Sequence, residues 1–253
     1  MNEQQKNTWV YGIVRAGAAL EEIERREGLP EVWVIEVGDL GAIVGDAPQG
    51  DGRATRDQAL AHARVLEAAV VDAPVVPMRF GVIVPGGDEA VGSDLLEAHH
   101  DDFAKLLDRL KDRVQLTLKA YYHEQQVLRE IVQSQPEIAQ LREQARHGPE
   151  AATRDVRVRM GELISNAVQQ LRERDSSEIL EQLKPLADAV SVEGLEKEFM
   201  VVNAAFLVDR GRTEEFEDAA EKVAEDNQDR IQFTLLGPMP AYNFVDTAEA
   251  AWA

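Results

Sequence analysis

The sequence predicts an α+β fold in which the element order βαββαβ occurs twice in tandem, the second copy carrying a long helical insertion. Three observations carry this expectation. Short apolar or alternating runs mark strands at 8–14, 32–37, 40–44 and 75–84, and again at 114–121, 190–192, 199–208 and from Ile231. Helical spacing separates the first strand from the second and the third from the fourth in each set. The stretch from about 124 to 189 is helical in pattern throughout. This order is the ferredoxin-like arrangement. It divides the chain into an N-terminal unit, 1–110, with a trailing helix, and a C-terminal unit, 111–253, holding the insertion.

Thr8 to Val14 reads as the first strand and Ala18 to Arg26 as a short helix. Val32–Val37 and Leu40–Val44 form a hairpin across Gly38-Asp39, a dipeptide suited to a tight turn. Thr55-Arg-Asp-Gln58 has capping-box spacing and opens a helix that buries Leu60, Ala63, Leu66 and Val70. Asp72-Ala-Pro74 stops it, and Val75–Val84 supplies the fourth strand. Pro85-Gly-Gly-Asp88 is a loop between the halves. The next helix sets Leu96, Phe103, Leu106, Leu107 and Leu110 on one face, for packing on the first sheet or for bridging the units. Gly50-Asp-Gly52 reads as a loop tip, and the tail from Asp246 has one anchor, Trp252.

In the second half Val114–Tyr121 is a strand, and about three helical stretches follow. The insertion carries Val156, Met160, Leu163, Ile164, Ala167 and Leu171 at helical spacing, a face fit either for packing on its neighbour or for a partner. Val201–Val208 meets a charged turn, Asp209–Arg212. A helix then buries Phe216, Ala219, Ala220, Val223 and Ala224, and Ile231-Gln-Phe233-Thr-Leu235 alternates as a strand. Gly237-Pro238-Met239-Pro240 ends it, because proline lacks the donor a central strand requires.

Composition narrows function. At 253 residues and 44% hydrophobic the chain can bury one large core or two smaller ones. Its apolar runs fall short of the roughly 18 residues that span a bilayer, so no membrane insertion is expected. The start, MNEQQKNTWVYG, lacks a basic segment followed by an apolar one, which favours a cytoplasmic protein. There is no cysteine. The net charge of −20 opposes binding to nucleic-acid phosphates and to anionic membranes. It favours a basic partner, or reflects a generally acidic surface.

No catalytic, cofactor or metal site is expected. His123-Glu124-Gln-Gln-Val127 places Val127 where a zinc motif needs its second histidine. His99-His100-Asp101-Asp102 points its side chains in different directions on a helix. No nucleophile elbow or phosphate-binding glycine loop occurs, and His62 and His147 have no evident partner. Three residues stand out as structural or partner-contact candidates. Arg79 lies in an apolar run, either as a buried clamp tied to a carboxylate or to backbone carbonyls, or on the solvent face of its strand. Tyr242 and Phe244 follow two prolines that restrict the chain, and either dock back on the second sheet or meet a partner.

Several segments together resemble the GvpL/GvpF family of gas vesicle proteins. They are Tyr11-Gly-Ile-Val14, Val75-Val-Pro-Met-Arg-Phe-Gly81, Leu118-Lys-Ala-Tyr-Tyr-His-Glu124, Asn203-Ala-Ala-Phe-Leu-Val-Asp-Arg210, and the ending with Gly237, Pro238, Pro240, Tyr242, Phe244 and Val245. The resemblance spans nearly the whole chain in order, and its motifs are shared by GvpF and GvpL. It implies two α+β domains with an all-helical part and a role in gas vesicle formation without catalysis. It also implies contact with the shell protein GvpA and other accessory proteins, and a place at the gas-facing side of the shell. A small-molecule-binding or enzymatic module built on paired ferredoxin-like domains remains the alternative, because a fold alone does not fix function. A closed pocket with converging polar groups favours that alternative; an open, partly apolar groove favours protein binding.

Overall fold

The computed structural model describes residues 7–48, 55–147, 149 and 153–245. The loop tip at Gly50–Gly52, the tail from Asp246 and its anchor Trp252 lie outside the described residues. Contacts divide the chain into two compact units. One comprises the described residues within Met1–Gln115, Asp209–Gly211 and Gly237–Ala253; the other comprises those within Leu116–Val208 and Arg212–Leu236. The sequence predicts a division after residue 110, with the C-terminal segment in the second unit. Contacts instead return the described residues from Gly237 onward to the first. One cause is a pair of reciprocal bonds: the Gln115 amide donates to Asn243 Oδ1 at 2.7 Å, and the Asn243 backbone N–H donates to Gln115 Oε1 at 3.0 Å.

In the first unit, strands β1 (Asn7–Arg15), β2 (Trp33–Val37), β3 (Leu40–Asp46) and β4 (Val76–Pro77) lie in the order β2-β3-β1-β4, and β5 (Ile83–Pro85) also pairs with β1. All these pairings are antiparallel. The β2–β3 hairpin turns at Gly38, whose φ of 61° is open to glycine at no steric cost. Helix α1 (Glu21–Arg25) is shorter than the sequence suggests. Helix α2 (Arg56–Asp72) begins with both bonds of the expected capping box: Gln58 N–H to Thr55 Oγ1 at 3.2 Å, and Thr55 N–H to Gln58 Oε1 at 2.9 Å.

The β1–β3 register slips between Val10 and Gly12, so Tyr11 is an extra residue in β1. The bulge lets Trp9, Tyr11 and Val14 join the cluster that holds Val65, Leu66 and Ala69 of α2. Val10 and Ile13, fully buried, turn to the opposite face, where helix α4 (His100–Leu110) contacts β1, β3 and β4. The first sheet is thus covered on both faces, which explains why Leu40 to Val44 of β3 are buried without alternation. Of the two placements open to this helix, packing on the first sheet is the one observed. Between the fourth-strand segments and α4 the chain makes one turn, α3 (Gly87–Ala90), and then a π-helical stretch, Val91–Glu97.

The strands β6 (Arg113–Tyr122), β7 (Ala189–Val192), β8 (Met200–Asp209) and β9 (Ile231–Met239), most of whose residues belong to the second unit, lie in the order β7-β8-β6-β9. The insertion forms helices α5 (Glu124–Ser134), α6 (Pro136–His147) and α7 (Arg154–Leu183), and α8 (Thr213–Asn227) follows β8. Met160, Leu163, Ile164, Ala167 and Leu171 of α7 pack on the core with Phe206 and Phe216, whose rings lie 4.9 Å apart. The helical face therefore packs on its own unit.

One buried carboxylate ties this helix to the sheet. Asp175 of α7, 4% exposed, accepts from the Tyr122 hydroxyl at 2.6 Å and from Arg230 at 2.9 Å on one oxygen, and from Arg174 at 2.8 Å on the other. Arg230 also reaches Glu130 of α5 at 2.8 Å. Burial, then the bond to Asp175, raises the Tyr122 phenol well above its usual pKa, so it remains a donor.

Candidate partner-binding groove

The expected fourth strand of the first unit, 75–84, is in fact two short segments separated by a turn. Met78 N–H donates to Tyr11 O at 2.9 Å, and Val10 N–H donates to Val82 O at 3.0 Å, so both segments stay on β1. Between them Val82 N–H closes on Arg79 O at 3.3 Å, with Gly81 at φ 93°. A positive φ at the third position of a β-turn needs glycine, and here it breaks an otherwise continuous apolar run.

This break opens a groove of about 570 Å³, lined by Arg79 to Pro85 on one side and by Asp94, Leu95 and His99 on the other. It is open to solvent and mixed in character. Phe80 and Ile83 remain 37% and 42% exposed in it. Phe80 is nevertheless held from behind: its ring lies 5.2 Å from Trp9 and 5.7 Å, edge-on, from His62. A large apolar side chain that is anchored yet exposed suits contact with a partner, since little entropy remains to be lost on binding.

His62 organises the wall behind Phe80. Trp9 Nε1–H donates to its Nδ1 at 3.0 Å, which makes Nδ1 the acceptor and places the proton on Nε2, 3.1 Å from Met78 O. Tyr11 stacks on the ring at 5.2 Å. Burial lowers the His62 pKa, and the neutral ring matches this bonding, since a second ring proton would face the indole N–H. His62 lies in no motif, and Phe80 lies in the Val75–Gly81 segment without being singled out there; their pairing with Trp9 joins residues 53 and 71 positions apart. The only local signal was an apolar run with glycine in it.

Arg79 is exposed on the groove's rim, in the turn and not on a strand. The buried-clamp expectation therefore fails, and among the described residues its guanidinium has no ion-pair partner. Phe244 is 6% exposed and docks back within the first unit, whereas Tyr242, beside it in a short 3-10 turn, is 40% exposed. The three residues singled out from sequence do not share one site: Arg79 lines the groove, and Tyr242 and Phe244 do not. His123 precedes α5, where its Nε2 lies 3.2 Å from Gln228 O. No group of three or more metal-ligating side chains converges among the described residues, and no described helix is long and apolar enough to cross a membrane.

A second histidine, next to the groove, titrates in the opposite sense. His100 Nε2 lies 2.6 Å from Asp39 Oδ1, and Arg15 joins the same carboxylate and Asp108. The bond to Asp39, followed by that to Asp101, raises the His100 pKa, and the same pairing lowers that of Asp39. A raised histidine pKa contributes stability that is complete below about 6.5 and is lost as pH rises through the folded value. His100→Gln should therefore lower the thermal midpoint at about pH 5.5 and have almost no effect near pH 9. An equal effect at both pH values would show that the contact does not depend on charge.

These features define a class: a mixed protein of helices and antiparallel sheets with an open groove of mixed lining, in which the anchored Phe80 stays exposed. Comparison with known proteins gives the family. Residues 7–246 match the family described as "Gas vesicle synthesis protein GvpL/GvpF", and the chain belongs to that family. It is 34% identical to gas vesicle protein F of Streptomyces sp. (strain CB03234) over 95% of this chain and 100% of that protein. It is 28% identical to gas vesicle protein L of the same strain, over 95% and 93%. The crystal structure of GvpF from Anabaena sp. PCC7120 shares the fold, with a TM-score of 0.78 at 22% identity over 94% of this chain and 98% of that one. The family is one of gas vesicle proteins rather than of enzymes.

Proposed function

We propose that the protein is an accessory or minor structural component of gas vesicle formation that binds the shell protein GvpA, and that the groove beside Phe80 and Ile83 is the contact. The observation that carries this reading is the groove's form: open, partly apolar, with Phe80 fixed from behind by Trp9 and His62. A shell subunit that exposes apolar surface after assembly risks aggregation before it, and a carrier of charge −20 that covers such surface keeps it in solution. Arg79 on the rim and the exposed Tyr242 are further contact candidates. The role is non-catalytic and associated with the gas vesicle, including the gas-facing side of its shell. Each unit is read as ferredoxin-like, a reading supported by the common strand order, in which second, third, first and fourth strands lie side by side.

Co-expression with GvpA tests the reading. Soluble GvpA should rise with this chain present, and Phe80→Asp with Ile83→Asp should weaken pull-down by about tenfold or more, as loss of a central apolar anchor does. Unchanged capture by the double variant would remove the groove from the account; no effect on GvpA solubility would remove the carrier role. Retention in washed, intact vesicles would mark a permanent component.

A further inference from the structure

The outer strand of the second sheet, β7, offers a different kind of contact. It lies at one end of the strand order and pairs antiparallel with β8. Glu193 N–H donates to Asn203 O at 2.8 Å, so 193 and 203 form a hydrogen-bonded pair. Such pairs recur every second residue, which places Ser191 with Ala205 and Ala189 with Leu207 in the same class. Val190 and Val192 therefore turn their N–H and C=O groups away from β8, and none of the four has a partner among the described residues. Val192 is 60% exposed, and Leu195 just beyond it is 42% exposed. At the fourth-strand edge of the first sheet, Pro77 and Pro85 remove donors and blunt the edge; β7 contains no proline.

Charge decides which strand can pair here. Asp188 directly precedes β7 and Glu193 directly follows it, held beside the strand by a 2.7 Å bond from Ser191; Glu196 and Glu198 come next. Lys119, 3.5 Å from Glu196, offsets one of these, and Lys197 lies over the Tyr121 ring. Two copies of β7 paired antiparallel about Ser191 would bring Glu193 of each near Asp188 of the other, in chains already at −20. Like charges at that spacing repel, so the edge disfavours its own copy.

We propose that β7 accepts, as an added strand, an extended partner segment of alternating apolar residues flanked by lysine or arginine. Backbone bonds to Val190 and Val192 give the affinity, and the flanking carboxylates select the partner. This site is independent of the groove and of what the groove binds.

The test uses the full chain and two synthetic peptides with the same alternating Val/Thr stretch, one ended by Lys and one by Glu. The Lys-ended peptide should bind at least about tenfold more tightly, lose affinity as salt rises, and slow amide exchange at Val190 and Val192. Val192→Pro removes an outward donor that the β7–β8 ladder does not use, so it should abolish binding while Val192→Thr preserves it. Should the proline variant melt early, Asp188→Lys with Glu193→Lys replaces it and should reverse the preference between peptides. Failure of the Lys-ended peptide to bind, equal binding of both, or a reversed-charge variant with unchanged preference would overturn the proposal. So would a concentration-dependent dimer lost in Val192→Pro, which would give the edge to a second copy.

Discussion

Asp175→Ala is expected to lower the stability of the second unit by about 3 kcal/mol, the lower end of the cost of breaking a buried ion pair, since Arg230 and Arg174 retain some solvent. The carboxylate is 4% exposed and receives bonds from Tyr122, Arg230 and Arg174. Its removal strands the Tyr122 hydroxyl and leaves Arg230 with Glu130 as its remaining partner. The contact joins α7 to β6 and to the start of β9, so its loss should loosen the long helix before the sheet. Amide exchange across α7 should rise together with the fall in denaturation midpoint. Asp175→Leu combined with Tyr122→Phe should recover part of the loss, because the apolar pair fills the space and leaves no phenol hydroxyl unsatisfied. A loss under about 1 kcal/mol in Asp175→Ala would show that the network does not hold the helix.

Gly12→Val is expected to cost the first unit about 3 kcal/mol, with Gly12→Ala at about 2 kcal/mol, the range found for overfilling a packed core. A Cβ at Gly12 would lie 2.8 Å from Leu66 Cδ2 and from Val75 Cγ2, and 3.0 Å from Val76 O. The side-chain ends can yield. The carbonyl belongs to β4, whose neighbouring Pro77 is paired with Gly12 itself, and it can move only by opening the sheet. Because β4 leads into the turn that forms the groove, Gly12→Ala should also weaken GvpA capture if the groove is the contact. Urea denaturation of both variants checks the stability claim; a change within about 0.5 kcal/mol for alanine would mean that the helix and strand simply move apart.

The elements themselves were readable because each depends on local chemistry. Thr55 and Gln58 set the start of α2, Gly38-Asp39 set the hairpin, and the spacing of Phe216, Ala220 and Val223 set α8. Boundaries failed where local pattern and packing disagree. The run 75–84 is apolar enough for one strand, yet Gly81 divides it, and that division makes the groove. Arg79 was singled out for being charged among apolar neighbours; the turn simply lifts it to the surface. His62 had no visible partner because Trp9 and Met78 reach it only after β1 and α2 pack. For Phe244 the sequence left docking and partner contact both open, because contacts between residues 115 and 243 leave no periodic trace.

The sequence by itself determined the family, most of the order of strands and helices, and a net charge of −20. Motifs, periodicity and composition are all properties of neighbours along the chain. Only the tertiary structure decided that α4 closes the second face of the first sheet, that Asp175 sits at the meeting of three elements, and that Val190 and Val192 face outward. Each of these is a distance between residues far apart in sequence, set by packing shape and strand register, which local pattern does not encode.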